Sequence, residues 1–383
     1  MLRFYLIIFT FLAVCGCNNP KQDRTGKEIV LNLSDPGNSE LTTSDIFSDL
    51  VYVPLETREG SYISKVSQYI ISEKYIIILD RDQGKVLLFS GTGAFLRNIS
   101  ARGKGPGEYL EVRNISFFEE EEIICLTDIQ SKVDFYNTSG EFLSSIPYSP
   151  GAYWVEAVKD KIFCFYPFPV NKINEDYQIS IFDKYGRFIK KSLNRYEGLG
   201  YPGSPMANPK IVSSHNEILF WEEYSDSVYS INKNGEFEVK YWFRYSNQQP
   251  AHKKIQEIGA DPDSWKRGMH ISNFTEAGNY LFIESVSDGL FNYLIYNRMT
   301  GTSRKIKMIN NKYGLAETLD GGITFWPDYS INGIVSMVAM PDEIINHFKD
   351  TADKEMLNDI FIELAHSIQL NSNPILIMGI LKN

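Results

Sequence analysis

LDRDQGKVLLFSGTGAFLRNISARGKGPGEY, residues 79–109, is the stretch that decides the fold. An apolar run from Lys85 to Phe89 meets Ser90-Gly91-Thr92-Gly93, and a second run leaves that turn. Val, Leu and Phe suit a pleated, half-buried surface, and glycine supplies the positive φ of a tight hairpin. The stretch therefore predicts strand, turn, strand, followed by a glycine-rich loop, Arg102-Gly103-Lys104-Gly105-Pro106-Gly107-Glu108-Tyr109.

The turn recurs along the chain. An apolar residue, then Ser, Asn or Asp, two variable residues and Gly stand at Phe89–Gly93, Tyr136–Gly140, Phe182–Gly186 and Ile231–Gly235, with a stretched copy at Tyr296–Gly301. The regular glycines are 47, 46 and 49 residues apart, the period of a four-stranded propeller blade. An apolar strand precedes each copy: Tyr75–Leu79, Ile123–Leu126, Ile162–Tyr166, Ile218–Trp221 and Tyr280–Ile283. Such near-continuous apolar runs are expected where both faces of a strand are covered, as between packed blades. A sixth unit is built from Ile323–Trp326, Ile334–Val338 and Ile375–Leu381, with Val51–Leu55 recruited to close the ring and leave only short edges. The expected fold is all-β, one six-bladed β-propeller over residues 29–383.

Two inserts break the rhythm, near 252–266 and at 341–369. In the second, Pro341 suits a first helical position and Asp342 and Glu343 suit the first turn. Leu357, Ile360, Phe361, Leu364 and Ile368 then fall on one helical face, a packing stripe.

Residues 1–16 read as a secretory signal: Arg3, then an apolar core from Phe4 to Val14 that is too short to span a bilayer. Val14-Cys15-Gly16-Cys17 resembles a bacterial lipobox, which implies cleavage after Gly16 and lipidation of Cys17. Residues 17–28 then form a polar tether, and the mature chain is anchored to a membrane without spanning it. The competing reading is an ordinary signal with an incidental cysteine. Cys125 and Cys164 sit inside apolar strand patterns and read as buried free thiols, although an oxidising compartment permits one disulfide.

A net charge of −10 argues against nucleic-acid binding, which needs clustered Lys and Arg. Gly103, Gly105 and Gly107 expose backbone N–H groups beside Arg102 and Lys104, so the loop can cradle an anionic group. It lacks the Lys-Ser/Thr ending of a phosphate-binding P-loop. The competing reading is structural: the glycines permit a tight crossover between blades, and Glu108 pairs with Arg102 or caps backbone amides. Tyr109 and Trp265 are further contact candidates. Asp80 and Asp128, at the ends of equivalent strands, face a central channel or else bond to turn amides. Calcium in that channel is the one cofactor considered, and none is required. The five histidines show no zinc-ligand spacing, and Glu119–Glu122 reads as a solvated turn.

Six units, the lipobox-like ending and Arg102–Tyr109 together resemble the NHL-like six-bladed β-propeller lipoproteins of Gram-negative bacteria, where a G-x-G-P-G-E-Y segment stands in this place. Tyr52-Val53-Pro54-Leu55-Glu56-Thr57 and Asn373-Pro374-Ile375-Leu376 extend the resemblance to both ends of the mature chain. It implies a cell-envelope protein at the outer membrane, on its periplasmic or its surface face, often associated with nutrient acquisition. It implies no reaction. The sequence thus reads as a binding or scaffold module for a glycan, a peptide or an envelope protein. A calcium-dependent lactonase-like or lyase-like enzyme is one alternative, and a structural subunit of an outer-membrane complex is another.

Overall fold

The computed structural model describes residues 26–31, 46–99, 101–148, 152, 154–158, 160–166, 177–194, 210–213, 217–221, 227–232, 235–245, 270–287, 290–306, 329–331, 334–350 and 359–382. It is a ring of six antiparallel blades. Blade 1 holds β3 (Gln68–Ile71), β4 (Tyr75–Asp80), β5 (Lys85–Ser90) and β6 (Phe95–Asn98). Blade 2 holds β9 (Val112–Phe118), β10 (Ile123–Asp128), β11 (Lys132–Asn137) and β12 (Phe142–Pro147). Blade 3 is β13 (Trp154–Val158), β14 (Lys161–Phe165), β15 (Tyr177–Asp183) and β16 (Phe188–Asn194). In blade 4, β17 (Lys210–Ser213), β18 (Glu217–Trp221), β19 (Ser227–Asn232) and β20 (Phe237–Tyr245) gain a fifth strand, β1 (Lys27–Leu31). Blade 5 is β21 (His270–Ala277), β22 (Tyr280–Ser287), β23 (Leu290–Asn297) and β24 (Thr302–Ile306).

Blade 6 closes the ring. Its strands β25 (Tyr329–Ile331), β26 (Ile334–Ala339) and β27 (Ile375–Leu381) come from the C-terminal part of the chain, and its outer strand β2 (Phe47–Pro54) from the N-terminal part. The expected closure by Val51–Leu55 therefore holds, over a longer strand that pairs with β27 from Phe47↔Leu381 to Pro54↔Ile375. Asn373, almost fully buried, locks the seam: it donates to the Glu56 and Ser61 carbonyls at 2.8 and 2.9 Å and accepts from the Ile63 amide at 2.9 Å. Ile323–Trp326, expected as the first strand of this unit, lies outside the described residues. So does the insert near 252–266.

Six apolar clusters, one at each blade junction, make the core. That is why the strands read as continuous apolar runs: in β4 and β5, Ile77, Leu79, Val86 and Leu88 face blade 2 while Ile76, Ile78, Leu87 and Phe89 face blade 6. Cys125 and Cys164 are free thiols packed in the cluster between blades 2 and 3. Burial pushes the Cys125 thiol well up.

Within each blade, successive strands alternate direction, so connections alternate between the two ends of the ring. One end carries the hairpins that join second to third strands and the crossovers between blades. The other carries the hairpins that join third to fourth strands. On the first end, β26 and β27 are joined by α1 (Pro341–Asp350) and α2 (Asp359–Ser367). The Glu343 carboxylate accepts the Met340 amide at 2.7 Å, capping α1 from its third residue. In α2 the packing face is Phe361, Leu364 and Ala365. Ile360, expected on that face, is 57% exposed, because the buried stripe runs one position further along the helix.

Candidate functional site

Residues 101–110 form a clasp on the crossover end, between blades 1 and 2. Ala101–Arg102 and Glu108–Tyr109 pair as two short parallel strands, β7 and β8, which fold the glycine-rich segment back on itself. The Gly103 amide donates to the Tyr109 carbonyl at 2.8 Å, and the Glu108 carboxylate accepts the Gly105 amide at 2.7 Å. A Cβ on Gly103 would stand 2.0 Å from Glu108 Oε2, so glycine is needed there for the carboxylate to sit in the loop. Gly107 has φ +73° and leaves no room beside Phe142. Backbone amides that an external anion would use are thus partly taken by the chain's own Glu108.

Tyr109 is fully buried, and its hydroxyl donates to the Gly84 carbonyl in blade 1 at 2.6 Å. Tyr136 donates to the Gly107 carbonyl from blade 2 at 2.9 Å, and Lys132 Nζ donates to the Glu108 carbonyl at 2.7 Å. The clasp is therefore nailed to both blades. Burial, aided by Tyr136, pushes the Tyr109 phenol up to about 12.

Asp80 and Asp128 end equivalent strands and are both fully buried. Asp80 accepts from the Ser64 amide (2.7 Å) and hydroxyl, the Lys65 amide and the Gln83 amide and side chain. Asp128 accepts the Leu110 and Gln130 amides, each at 3.1 Å, and lies 3.8 Å from Lys132 Nζ. Each carboxylate organises its own hairpin and the crossover above it. A third buried carboxylate, Asp134, went unread in the sequence: its Oδ2 is 2.7 Å from Lys132 Nζ in a close ion pair. Among the described residues no three His, Cys, Asp or Glu side chains converge as a metal site.

What the clasp leaves to solvent is positive. Arg102 and Lys104 are exposed, as are Lys65, Arg81 and Arg113 on neighbouring segments of the same end. Arg81 donates to the Arg113 carbonyl, Arg102 Nε to the Leu110 carbonyl at 3.1 Å, and Arg113 to the Ala152 carbonyl at 3.1 Å. Each guanidinium gives one of its five donors to the backbone, which holds it in place, and makes no other hydrogen bond among the described residues. The exposed carboxylates interspersed on these segments are Asp82 and Glu111, with Glu56 and Glu59 further back on the crossover that carries Lys65. Arg81 and Arg113 were not singled out from the sequence, since only the ring brings them beside the loop. Cys17 and Trp265 lie outside the described residues.

The profile of the family described as "Domain of unknown function (DUF4934)" matches residues 28–379. The chain belongs to the DUF4934 family. Against curated proteins this DUF4934 chain finds no match. Among solved structures it is similar to a protein of Bacteroides fragilis described as exported, with TM-score 0.72 and 18% identity over 93% of this chain and 100% of that one. It is also similar to a member of the DUF4221 family from Bacteroides vulgatus, with TM-score 0.50 and 12% identity over 88% and 97% of the two chains. At these identities the likeness is one of fold. Among its described residues, no helix of the DUF4934 chain is long and apolar enough to cross a membrane.

The acidic run Glu119–Glu122 of this DUF4934 chain lies on the opposite end of blades 1 and 2. There Glu119, Glu120 and Glu122 line a groove of about 470 Å³ with Glu73, Lys74, Tyr75 and Phe117. Glu122 accepts from Lys74 Nζ at 2.6 Å, and Glu119 accepts the Glu73 amide at 3.0 Å. The Lys74–Glu122 contact holds the Lys74 ammonium above its ordinary value and the Glu122 carboxyl below it.

Proposed function

We propose that this protein is a lipid-anchored binding module of the cell envelope, of the NHL-like lipoprotein kind. Its outward chemistry is the cationic rim of Arg81, Arg102, Lys104 and Arg113 on the clasp end. The observation that supports this reading is the division of labour at the clasp. Buried carboxylates and phenols are spent on amides and carbonyls, which makes the platform rigid, while guanidinium donors remain at its surface. Planar, pre-positioned guanidinium groups match carboxylate, sulfate or phosphate in two-point contacts, so the partner is anionic: an acidic glycan, an acidic peptide or an acidic face of an envelope protein.

A lactonase-like or lyase-like reading with channel calcium would need carboxylates free to ligate. Asp80 and Asp128 do not fit that demand, since amide donors of separate hairpins already occupy them. The test of the binding reading is titration of the purified chain with polygalacturonate and with poly-glutamate. Arg102→Glu with Lys104→Glu abolishes binding if the rim is the site. Unchanged affinity in a folded double variant contradicts it.

A further inference from the structure

The direction of β1 sets where the chain enters the ring. This strand pairs in parallel with the outer strand of blade 4, from Lys27↔Tyr241 to Leu31↔Tyr245. Since β20 leaves the hairpin that joins third to fourth strands, β1 runs from that end toward the crossover end. Ile29 and Leu31 bury completely between blades 4 and 5 and fix the strand there. At its start, Lys27 Nζ is 3.4 Å from the carbonyl of Arg298, in the hairpin Asn297–Gly301 of blade 5. The chain before residue 27 therefore emerges on the end opposite the clasp.

Two of the most exposed large apolar side chains flank that exit. Met299, 76% exposed, tips the hairpin of blade 5, and Tyr185, 67% exposed, tips the equivalent hairpin of blade 3. Lys184 and Arg187 sit 5.6 and 5.4 Å from the Tyr185 ring, and Phe188 and Ile189 follow, also exposed. Exposed Lys191 extends the patch. An aromatic tip beside lysines, with Arg187 paired to Asp183 at 2.6 Å, is a composition that settles at a headgroup boundary, the ring at the acyl edge and the lysines on phosphates. Blades 1 and 2, across the ring, present Glu73 and Glu119–Glu122 on this same end, where headgroup phosphates repel them.

We infer that the end of the ring bearing Tyr185 and Met299 docks on a phospholipid surface, tilted so that blades 3–5 touch it and blades 1–2 stand off. The inference rests on the lipid-anchor reading for its tether: Cys17 is ten residues before Lys27 and stays within about 35 Å of it however the intervening chain runs. The clasp and its cationic rim then face away from the membrane.

Cysteine labelling of the processed chain in vesicles with headgroup quenchers tests this: processing removes Cys15 and lipid caps the Cys17 thiol, while Cys125 and Cys164 are buried and do not compete for label. Labels at Tyr185→Cys and Met299→Cys lose roughly half their emission or more, as expected at headgroup depth. Labels at Tyr62→Cys and Leu370→Cys on the clasp end, and at Glu120→Cys, keep theirs. Equal quenching at both ends, or quenching at the clasp end, overturns the docking. Protection of Tyr185 by a partner protein but not by lipid overturns it as well. An intact mass without lipid on Cys17 sinks the anchor reading alone. The docking is then read on the chain from residue 18, tethered to nickel-chelating lipid by an N-terminal hexahistidine, with the same labels and the same two outcomes.

Discussion

The junctions between blades 1 and 2 and between blades 4 and 5 lie almost opposite each other in the ring and are held by opposite means. At the first, a folded-back loop is fixed by Tyr109, Tyr136 and Lys132 donating to carbonyls, and by Glu108 and Asp128 accepting amides. At the second, charges cross the seam. Lys240 lies between Glu217 and Glu276, 2.8 Å from the latter, and Arg298 reaches Glu276 at 2.5 Å and the Tyr241 hydroxyl at 3.0 Å. The extra strand β1 covers that seam from outside. One junction stiffens a surface whose exposed guanidinium groups contact only carbonyls among the described residues; the other pairs its cations with carboxylates. The difference is one of charge: at the clasp the guanidinium groups are positioned by backbone carbonyls and have no carboxylate partner among the described residues, which is why the proposed recognition is assigned to that rim.

The comparison breaks most visibly at Lys240. Burial pulls its ammonium down, but Glu217 and Glu276 outweigh that and raise it above the ordinary lysine value. Lys240→Met leaves two half-buried carboxylates without their shared cation and costs about 3 kcal/mol, readable as a lower urea midpoint. Its contribution is present below the unfolded lysine value and is lost as pH rises through the higher folded one.

Next in size is the alkaline limb at the clasp. Burial pushes both Tyr109 and Tyr148 up to about 12. A phenol whose folded value is raised holds its proton in the folded state while the unfolded chain releases it, so stability falls as pH rises from about 10 to 12. The loss is about 3 kcal/mol per phenol. In Tyr109→Phe the fall in stability over that window is shallower by one such increment, and a series of urea melts between pH 9 and 12 measures it.

A smaller effect is expected at the loop itself. Glu108→Ala releases the Gly105 amide and costs about 2 kcal/mol, the scale of a hydrogen bond to a charged acceptor. Gly103→Ala has a similar effect by displacing the same carboxylate. Hydrogen exchange concentrated in residues 101–110 and their partners in blades 1 and 2 would locate the damage, leaving blades 4 and 5 protected.

Much of this was legible before the fold was in hand. Gly93, Gly140, Gly186, Gly235 and Gly301 all have positive φ, so the period read from the turns reports a backbone requirement repeated in blades 1 to 5. Closure by the segment around Val51–Leu55 followed because a ring of covered strands needs a last partner. β1 was not legible: parallel pairing on an outer edge needs no turn, and Lys27–Leu31 is too short to declare a partner. At the clasp, the residue types pointed to Glu108 on Arg102 or on backbone amides, and to Asp80 and Asp128 on a channel or on turn amides. The rim was half legible, since Arg102 and Lys104 are local whereas Arg81 and Arg113 join them only through ring geometry. Ile360 misled because a helical stripe fixes a face to within one position, not which neighbour shields each residue.

Charge reversal at the rim has the least effect on stability and the greatest on function. Arg102→Glu with Lys104→Glu changes exposed side chains, loses the Arg102–Leu110 hydrogen bond and costs about 1 kcal/mol. Calorimetric titration of this variant and of the native chain with polygalacturonate and poly-glutamate is the most direct measurement. The account predicts saturable, salt-sensitive binding of at least one polymer by the native chain and none by the variant. Equal binding by both, or no binding of either polymer by the native chain, would contradict it.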